Sequence, residues 1–196
     1  LYSKIDSQIL KNLHKLKLIV TRSTGFDHID IKSCANKKIS VYNIPSYGEN
    51  TVAEHTFALI LALSRNVHKS YLRTLNQDYS ISGLEGFDLK GKTLGVIGAG
   101  KIGKHVIRIA RGFEMNVLVT DRHEDDFLAE ELNFKYVPLQ QLLKNSDIIT
   151  LHIPLTDENK YMFNKNTFKI MKKGSILINT SRGELVNTRD LLESLN

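Results

Sequence analysis

The stretch TLGVIGAGKIG, residues 93–103, says most about the fold class of this 196-residue chain. Its first five residues, Thr93–Ile97, are mostly apolar, as expected for a buried strand. They run directly into a Gly-x-Gly-x-x-Gly pattern, and a predicted helix from Lys101 to Gly112 follows at once. A strand, a glycine-rich turn and a helix in this order predict the phosphate-binding turn of a parallel α/β sheet.

Each glycine of the pattern has a separate predicted role. Gly98 allows the tight turn, Gly100 lets the backbone approach a pyrophosphate, and Gly103 lets the helix pack closely on the strand. The helix N-terminus offers N–H groups and partial positive charge to the phosphates. The turn therefore predicts a dinucleotide site.

The next predicted strand, Asn116 to Thr120, ends at Asp121. A carboxylate at this place accepts hydrogen bonds from an adenosine ribose and repels a 2′-phosphate, so the sequence favours NAD over NADP. Arg122 moderates that preference, because an arginine can accept a 2′-phosphate.

The glycine- and serine-rich residues 80–91 break any periodic pattern and predict a linker between two halves. In the first half we predict strands at Leu16–Val20 and Ile39–Ile44 and a helix at Asp30–Ala35. A long helix follows, from Thr51 to about Leu75. Thr51 and Glu54 fit a capping box at its start, and one apolar face is predicted along it, at Phe57, Leu61, Val67 and Leu72.

The second half alternates strands with helices, which is typical of a doubly wound parallel sheet. Further strands are predicted at Lys135–Val137, Asp147–Ile153 and Ser175–Thr180, and further helices at Leu139–Lys144, Asn166–Met171 and Thr188–Leu195, the last capped by Asn187. We place one domain at residues 1–85 and a Rossmann-type dinucleotide-binding domain at residues 86–196.

The tripeptide His152-Ile153-Pro154 closes a predicted strand. In a doubly wound sheet the ligand lies outside the carboxyl ends of the strands, so this tripeptide faces the predicted crevice. We interpret His152 as structural and assign cofactor contacts to the backbone of Ile153 and Pro154.

The composition, 41% hydrophobic and 24% charged, is that of an ordinary globular protein, with no apolar run long enough to span a membrane. The net charge of +6 comes from scattered lysines rather than a basic stripe, which argues against a nucleic-acid partner. Cys34 is the one cysteine, so no disulfide or cysteine-rich metal site is expected, and we predict a cytoplasmic protein.

Several motifs occur together in a characteristic order. They are Gly98–Gly103 with Asp121, then His152-Ile153-Pro154, then residues 178–183 (INTSRG), preceded in the first half by residues 21–30 (TRSTGFDHID), residues 44–47 (IPSY), Asn50 and residues 52–55 (VAEH). In this order and spacing the chain resembles the D-isomer-specific 2-hydroxyacid dehydrogenases, and in particular their D-lactate dehydrogenase-like branch. The resemblance implies that residues 1–85 belong to a flavodoxin-like substrate-binding domain. Because the chain starts at Leu1, not at methionine, we expect a fragment that lacks both terminal parts of the family.

The resemblance also implies roles for individual residues. Arg182 aligns with the catalytic arginine, and its guanidinium could grip a 2-keto acid bidentately over the nicotinamide. The implied cofactor contacts include Lys101, Ile102, Asn159, Thr180, Ser181 and Arg182, and the implied substrate contacts are Ser23, Thr24, Gly25 and Tyr47. For Tyr47, an aromatic packed for shape stays an open alternative. The family's acid-base histidine and its glutamate partner are expected beyond Asn196, and His55 is interpreted as structural because the adjacent Glu54 cannot face it on a helix.

The implied function is NAD-dependent interconversion of a small 2-keto acid and its D-2-hydroxy acid, with a homodimer formed through the helix from Thr51. Substrates such as lactate, branched hydroxy acids, glyoxylate and phosphoglycerate stay open. The alternative is a non-catalytic, NAD-sensing corepressor-like protein on the same fold. Because the acid-base partners are expected after Asn196, we expect the 196-residue chain by itself to be inactive.

Overall fold

The computed structural model describes residues 3–195, and packing divides the chain into two compact units between Gly48 and Glu49. The first unit contains α1 (Ser7–Lys11), β1 (Leu18–Val20), α2 (Ile31–Asn36) and β2 (Ser40–Tyr42). The two strands pair in parallel, and a small core of Leu10, Ile29, Cys34 and Ile39 lies against them. Cys34 is buried in this core, and burial raises the pKa of its thiol.

The second unit follows the predicted alternation closely. Its elements are α3 (Glu49–Ser64), α4 (Val67–Leu75), β3 (Thr93–Ile97), α5 (Lys101–Gly112), β4 (Asn116–Thr120), α6 (Asp126–Glu131), β5 (Lys135–Tyr136), α7 (Leu139–Asn145), β6 (Ile148–Leu151), α8 (Lys165–Ile170), β7 (Ile176–Asn179), a 3-10 turn (Gly183–Leu185) and α9 (Thr188–Leu195). The predicted bounds of β3, α5, β4 and α9 are confirmed, and Asn187 caps α9 through its side-chain oxygen. Neither α6 nor the 3-10 turn was predicted, and in the first unit α1 was also missed.

Across residues 3–195, this unit holds one sheet of five strands in the order β5-β4-β3-β6-β7, with every pair parallel. The chain winds outward from β3 in both directions, so the predicted doubly wound Rossmann-type sheet is confirmed. Apolar side chains of α3 and α5 cover one face around Phe57 and Val106, and a second core with Leu142 and Phe163 covers the other. Because both faces of the sheet are buried, β3 and β6 consist mainly of consecutive apolar residues instead of alternating apolar and polar ones.

The single long helix predicted from Thr51 to Leu75 is wrong. Two helices take its place, and Asn66 separates them in the left-handed conformation with φ of 52°. The backbone N–H of Phe87 donates to the carbonyl of Ser64 at 3.0 Å, and the Asn66 side chain donates to the carbonyl of Glu85 at 2.9 Å. Glu85 and Phe87 belong to the segment predicted as a linker. The hydrogen bond from Phe87 occupies the Ser64 carbonyl, which would otherwise accept the next hydrogen bond of the helix.

Two further details of that prediction are also wrong. The capping box at Thr51 and Glu54 does not exist, because α3 begins two residues before Thr51, at Glu49. The predicted apolar face is also discontinuous: Phe57 and Leu61 pack in the core, whereas Val67 and Leu72 on α4 are more than half exposed.

Packing assigns α3 and α4 to the same compact unit as the five-stranded sheet. Phe57 and Ile60 of α3 share a core with Val106 and Ile107 of α5, which binds the helix to the sheet. The compact units therefore differ from the predicted domains, whose boundary after residue 85 stays a prediction. No helix among residues 3–195 has the length and apolarity needed to cross a membrane.

Candidate functional site

Four parallel strands end in register at one edge of the sheet. The paired last residues are Ile97 with Thr120, Ile97 with Leu151, and Leu151 with Asn179. The residues that follow these strands therefore form a row across the edge: Asp121, Gly98, His152 and Thr180. With strands spaced about 4.8 Å apart, the row spans about 14 Å from Asp121 to Thr180, comparable with an extended dinucleotide. The strand order reverses between β3 and β6, which is where such a sheet binds its ligand.

The three glycines of the turn lie in different surroundings, and two of them could not be replaced without a clash. Gly98 has φ of 97°, and a β-carbon there would lie 2.6 Å from the carbonyl oxygen of His152. A β-carbon on Gly103 would overlap the carbonyl oxygen of Gly98, so helix and turn could not pack as closely. Gly100 differs from both, because nothing lies within 4 Å of the place that its β-carbon would occupy.

The open space at Gly100 lies at the start of α5. Gly100 is the N-cap residue, and no side chain of the described part of the chain caps this helix. The first N–H groups of the helix and its partial positive charge are therefore directed at an exposed glycine. Such a cradle fits a pyrophosphate, and the cofactor contacts of Lys101 and Ile102 stay predictions. The Lys101 ammonium itself lies 3.8 Å from the Glu49 carboxylate, at the start of α3.

Asp121 is held beside this turn. Its carboxylate accepts a hydrogen bond from the N–H of Ala99 at 2.6 Å and another from the N–H of His123 at 2.9 Å. The half-buried carboxylate is thus oriented by the turn and by its own loop. An oriented acceptor beside the phosphate cradle fits a ribose diol, so the residues present fit a dinucleotide. The ribose contact of Asp121 stays a prediction.

Both ring nitrogens of His152, which directly follows β6, are buried, and neither has a hydrogen-bond partner among residues 3–195. Burial lowers the pKa of its imidazole to about 4. The ring is therefore neutral at pH 7 and a poor proton donor, which agrees with the interpretation of His152 as structural.

The loop after β6 is closed by its own side chains. Asn159 accepts a hydrogen bond from the N–H of Thr156 and donates one to the carbonyl of Pro154, each at 2.8 Å. Ile153 packs against the glycine turn, since its side chain lies 2.7 Å from the position of a β-carbon on Gly98. Asn159 therefore shapes the loop that carries Ile153 and Pro154, and its direct contact with a cofactor stays a prediction.

A turn of four residues carries Arg182 away from β7. The Asn179 side chain accepts from the N–H of Ser181 at 3.0 Å and donates to the carbonyl of Arg182 at 2.8 Å. The Ser181 hydroxyl donates to the carbonyl of Leu151 at 2.6 Å, which ties this turn to the end of β6. Asn179 was not predicted as a site residue, although an asparagine at the end of an apolar strand is a typical turn former.

Thr56 is a second residue that the sequence did not indicate. It is fully buried on α3, and its hydroxyl lies 3.1 Å from the hydroxyl of Thr180. Thr56 donates its one hydroxyl hydrogen to the carbonyl of Val52, at 2.9 Å, so Thr180 is the donor to Thr56. The contact sets the rotamer of a residue in the row described above.

The predicted substrate residues lie together within the first unit. β1 and β2 are parallel, so the loop with Ser23, Thr24 and Gly25 and the loop with Tyr47 leave the same edge. The Ser23 hydroxyl donates to the carbonyl of Gly25 at 2.6 Å, and Asn43 donates to the carbonyl of Thr24 at 2.7 Å. The Tyr47 side chain is 65% exposed, which disagrees with an aromatic packed for shape.

The family model described as "D-isomer specific 2-hydroxyacid dehydrogenase, NAD binding domain" matches residues 57–196. The chain belongs to the D-isomer specific 2-hydroxyacid dehydrogenase family. The prediction of NAD as the cofactor is confirmed by this match, since the model describes an NAD-binding domain.

The chain is 41% identical to a 2-hydroxyacid dehydrogenase homolog of Haemophilus influenzae, over 96% of this chain and 57% of that protein. It is 40% identical to D-lactate dehydrogenase of Escherichia coli, over 93% of this chain and 55% of the relative. Among solved structures, D-lactate dehydrogenase from Aquifex aeolicus complexed with NAD and lactic acid matches with a TM-score of 0.92 and 41% identity, over 99% of this chain and 58% of that chain. The chain thus spans less than three fifths of each of these proteins.

The two relatives and the neighbouring structure carry dehydrogenase names, so the comparisons give no support to the corepressor-like alternative. The roles of individual site residues stay predictions. Among residues 3–195, no three histidine, cysteine or acidic side chains are grouped so that they could hold a metal ion.

Proposed function

We propose that the native protein is an NAD-dependent dehydrogenase that interconverts a small 2-keto acid and its D-2-hydroxy acid. The main support for this proposal is the row of residues that follow the carboxyl ends of the parallel strands. Arg182 leaves β7 through the Asn179 turn at the same edge as the glycine turn and Asp121. The similarity to D-lactate dehydrogenase supports the choice of substrate class.

Each part of the row has a proposed task. Gly98, Gly100, Lys101, Ile102 and Gly103 hold the pyrophosphate, and Asp121 holds the adenosine ribose. From the loop after β6, Ile153, Pro154 and Asn159 contact the cofactor, and at the end of the row away from Asp121, Thr180, Ser181 and Arg182 position the nicotinamide. Bound NADH supplies the hydride. Arg182, permanently charged and planar, holds the keto acid in a fixed orientation.

The substrate is proposed to be small and unphosphorylated. The loop of Ser23, Thr24 and Gly25 would receive the carboxylate, and the exposed ring of Tyr47 would contact an apolar substituent. Arg22 is the only arginine or lysine in residues 21–30, which leaves little positive charge for a distal phosphate. A higher kcat/KM for a phosphorylated keto acid than for pyruvate or its branched analogues would contradict this substrate choice.

Turnover of NADH with a panel of 2-keto acids, followed by absorbance, tests the activity itself. We expect Arg182→Ala to lower kcat/KM by about 100-fold or more, and Arg182→Lys to recover little, because lysine cannot make the bidentate contact. Arg189→Ala, which removes an exposed arginine of α9, is the matched control. A native protein that binds NAD and is indifferent to Arg182→Ala would contradict the assignment.

We also propose a homodimer formed through α3 and α4, in a cytoplasmic protein. Apolar side chains are exposed on and directly after α4, at Tyr71, Leu72, Leu75, Tyr79 and Ile81. Several large apolar side chains exposed within one short segment are typical of an interface. A free buried cysteine is compatible with a reducing compartment. Light scattering of Leu72→Glu against the parent protein tests the interface, and an unchanged oligomeric state would contradict it.

A further inference from the structure

An ion pair joins two loops that flank the glycine turn. The guanidinium of Arg122, directly after Asp121, lies 3.3 Å from a carboxylate oxygen of Glu158. Arg122 follows β4 and Glu158 lies in the loop after β6, and these strands are the two neighbours of β3. The pair therefore connects the two sides of the proposed cofactor crevice at its adenosine end.

Glu158 is oriented by its own loop. The Thr156 hydroxyl donates to the same carboxylate oxygen at 3.0 Å. Asn159 closes the loop by its two hydrogen bonds to the backbone of Thr156 and Pro154. These hydrogen bonds within the loop orient the Glu158 carboxylate toward Arg122. Both charged side chains are nevertheless largely exposed.

We propose that Glu158 is a cofactor-specificity residue, which selects against the 2′-phosphate of NADP by engaging Arg122. The inference rests on the proposed function, because it concerns the same dinucleotide site. An arginine beside the ribose-binding carboxylate is the group that would receive a 2′-phosphate. Here its guanidinium is neutralised by Glu158, and Asp121 leaves the cluster with a net negative charge. A doubly charged phosphate must then displace Glu158 from Arg122 and approach two carboxylates.

The neighbouring charged residues also disfavour the binding of a 2′-phosphate. Glu124, Asp125 and Asp126 follow Arg122 closely in the sequence, and all three are exposed. Against these carboxylates, Arg122 is the one permanent cation of residues 121–134. Removing the negative charge of Glu158 releases that cation without altering Asp121.

The test compares Glu158→Gln with Asp157→Asn, which removes the same charge one residue away. The Asp157 carboxylate forms no ion pair with Arg122 within the described residues, so it serves as a matched control. The binding of NAD, NADP, 5′-AMP and 2′,5′-ADP to each protein is measured by titration, with a thermal melt of each variant. An exposed ion pair contributes little to stability, so melting temperatures should change little.

We expect Glu158→Gln to raise the affinity for NADP and 2′,5′-ADP roughly three- to fivefold. The affinity for NAD and 5′-AMP should stay within about twofold of that of the parent protein. Adding Arg122→Gln to that variant should remove the gain, because the gain requires the released guanidinium. An unchanged NADP affinity in Glu158→Gln, or an equal gain in Asp157→Asn, overturns the inference while NAD binding by the parent protein still supports the proposed function. A parent protein that binds neither dinucleotide overturns both.

Discussion

The hydroxyl of Thr180 donates to the hydroxyl of Thr56, 3.1 Å away, across the gap between the end of β7 and helix α3. The direction of this bond follows from the donation of Thr56 to its own helix at Val52. Residues 56 and 180 are far apart in sequence, yet the first is fully buried and the second belongs to the row at the cofactor edge. The pair links the helix that covers the sheet to the proposed nicotinamide end of the site.

We expect Thr56→Val to destabilise the protein by about 1–2 kcal/mol, because the donor on Thr180 then lacks its partner. NAD should also bind several-fold more weakly, since Thr180 loses its preferred rotamer. Urea unfolding and NAD titration measure the two effects, and Thr56→Ser is the control that keeps the hydroxyl. A double-mutant cycle with Thr180→Val should give a coupling of about 1 kcal/mol, and additive losses would show that the two hydroxyls act independently.

Two glycines of the turn should respond differently to the same substitution. In Gly103→Ala the new methyl group overlaps the carbonyl oxygen of Gly98, so we expect loss of stability and of NAD binding together. In Gly100→Ala the methyl group enters open space, so the fold should persist while NAD affinity falls. Thermal melts and NAD titration distinguish the outcomes. A Gly100→Ala variant that binds NAD as tightly as the parent would contradict the proposed path of the pyrophosphate.

Replacing Asp121 by Asn should weaken the preference for NAD over NADP. The substitution keeps an acceptor for the N–H of Ala99 and removes the charge that repels a 2′-phosphate. We expect the ratio of the two affinities to fall by about tenfold, which corresponds to about 1.4 kcal/mol. Parallel titrations with both dinucleotides measure the ratio. An unchanged ratio would show that the charge of Asp121 does not select the cofactor.

The buried ring of His152 predicts a pH dependence of stability. Because burial lowers its pKa from 6.5 to about 4, the folded protein resists protonation that the unfolded chain accepts. The contribution of the neutral ring is fully present above pH 6.5 and is lost as the pH falls from 6.5 toward 4. The expected loss is about 3 kcal/mol.

Urea unfolding at a series of pH values measures this loss, with His152→Phe as the test variant. Phenylalanine cannot be protonated, so the slope between pH 6.5 and 4 should flatten. The exposed His123, replaced in the same way, should leave the slope as it is. Equal slopes for the parent protein and His152→Phe would contradict the role of the buried ring.

Local features of the protein could be predicted from the order of its residues alone. The turn at Gly98–Gly103 and the bounds of β3, α5 and β4 could be predicted. The residues that form the strand, the three glycines and the start of the helix lie close together in the sequence. The doubly wound sheet followed from the alternation of strands and helices, and the family resemblance followed from the order of several short motifs.

Features that depend on residues far apart in the chain became evident only from the folded molecule. The residues from Thr51 to Leu75 have the pattern of one continuous helix. In the structure, however, the backbone N–H of Phe87 donates to the carbonyl of Ser64, and the first helix ends there. Likewise, no local pattern brings Thr56 to Thr180 or Arg122 to Glu158. These contacts arise because parallel strands place their carboxyl ends at one edge of the sheet, so residues far apart in the chain meet there.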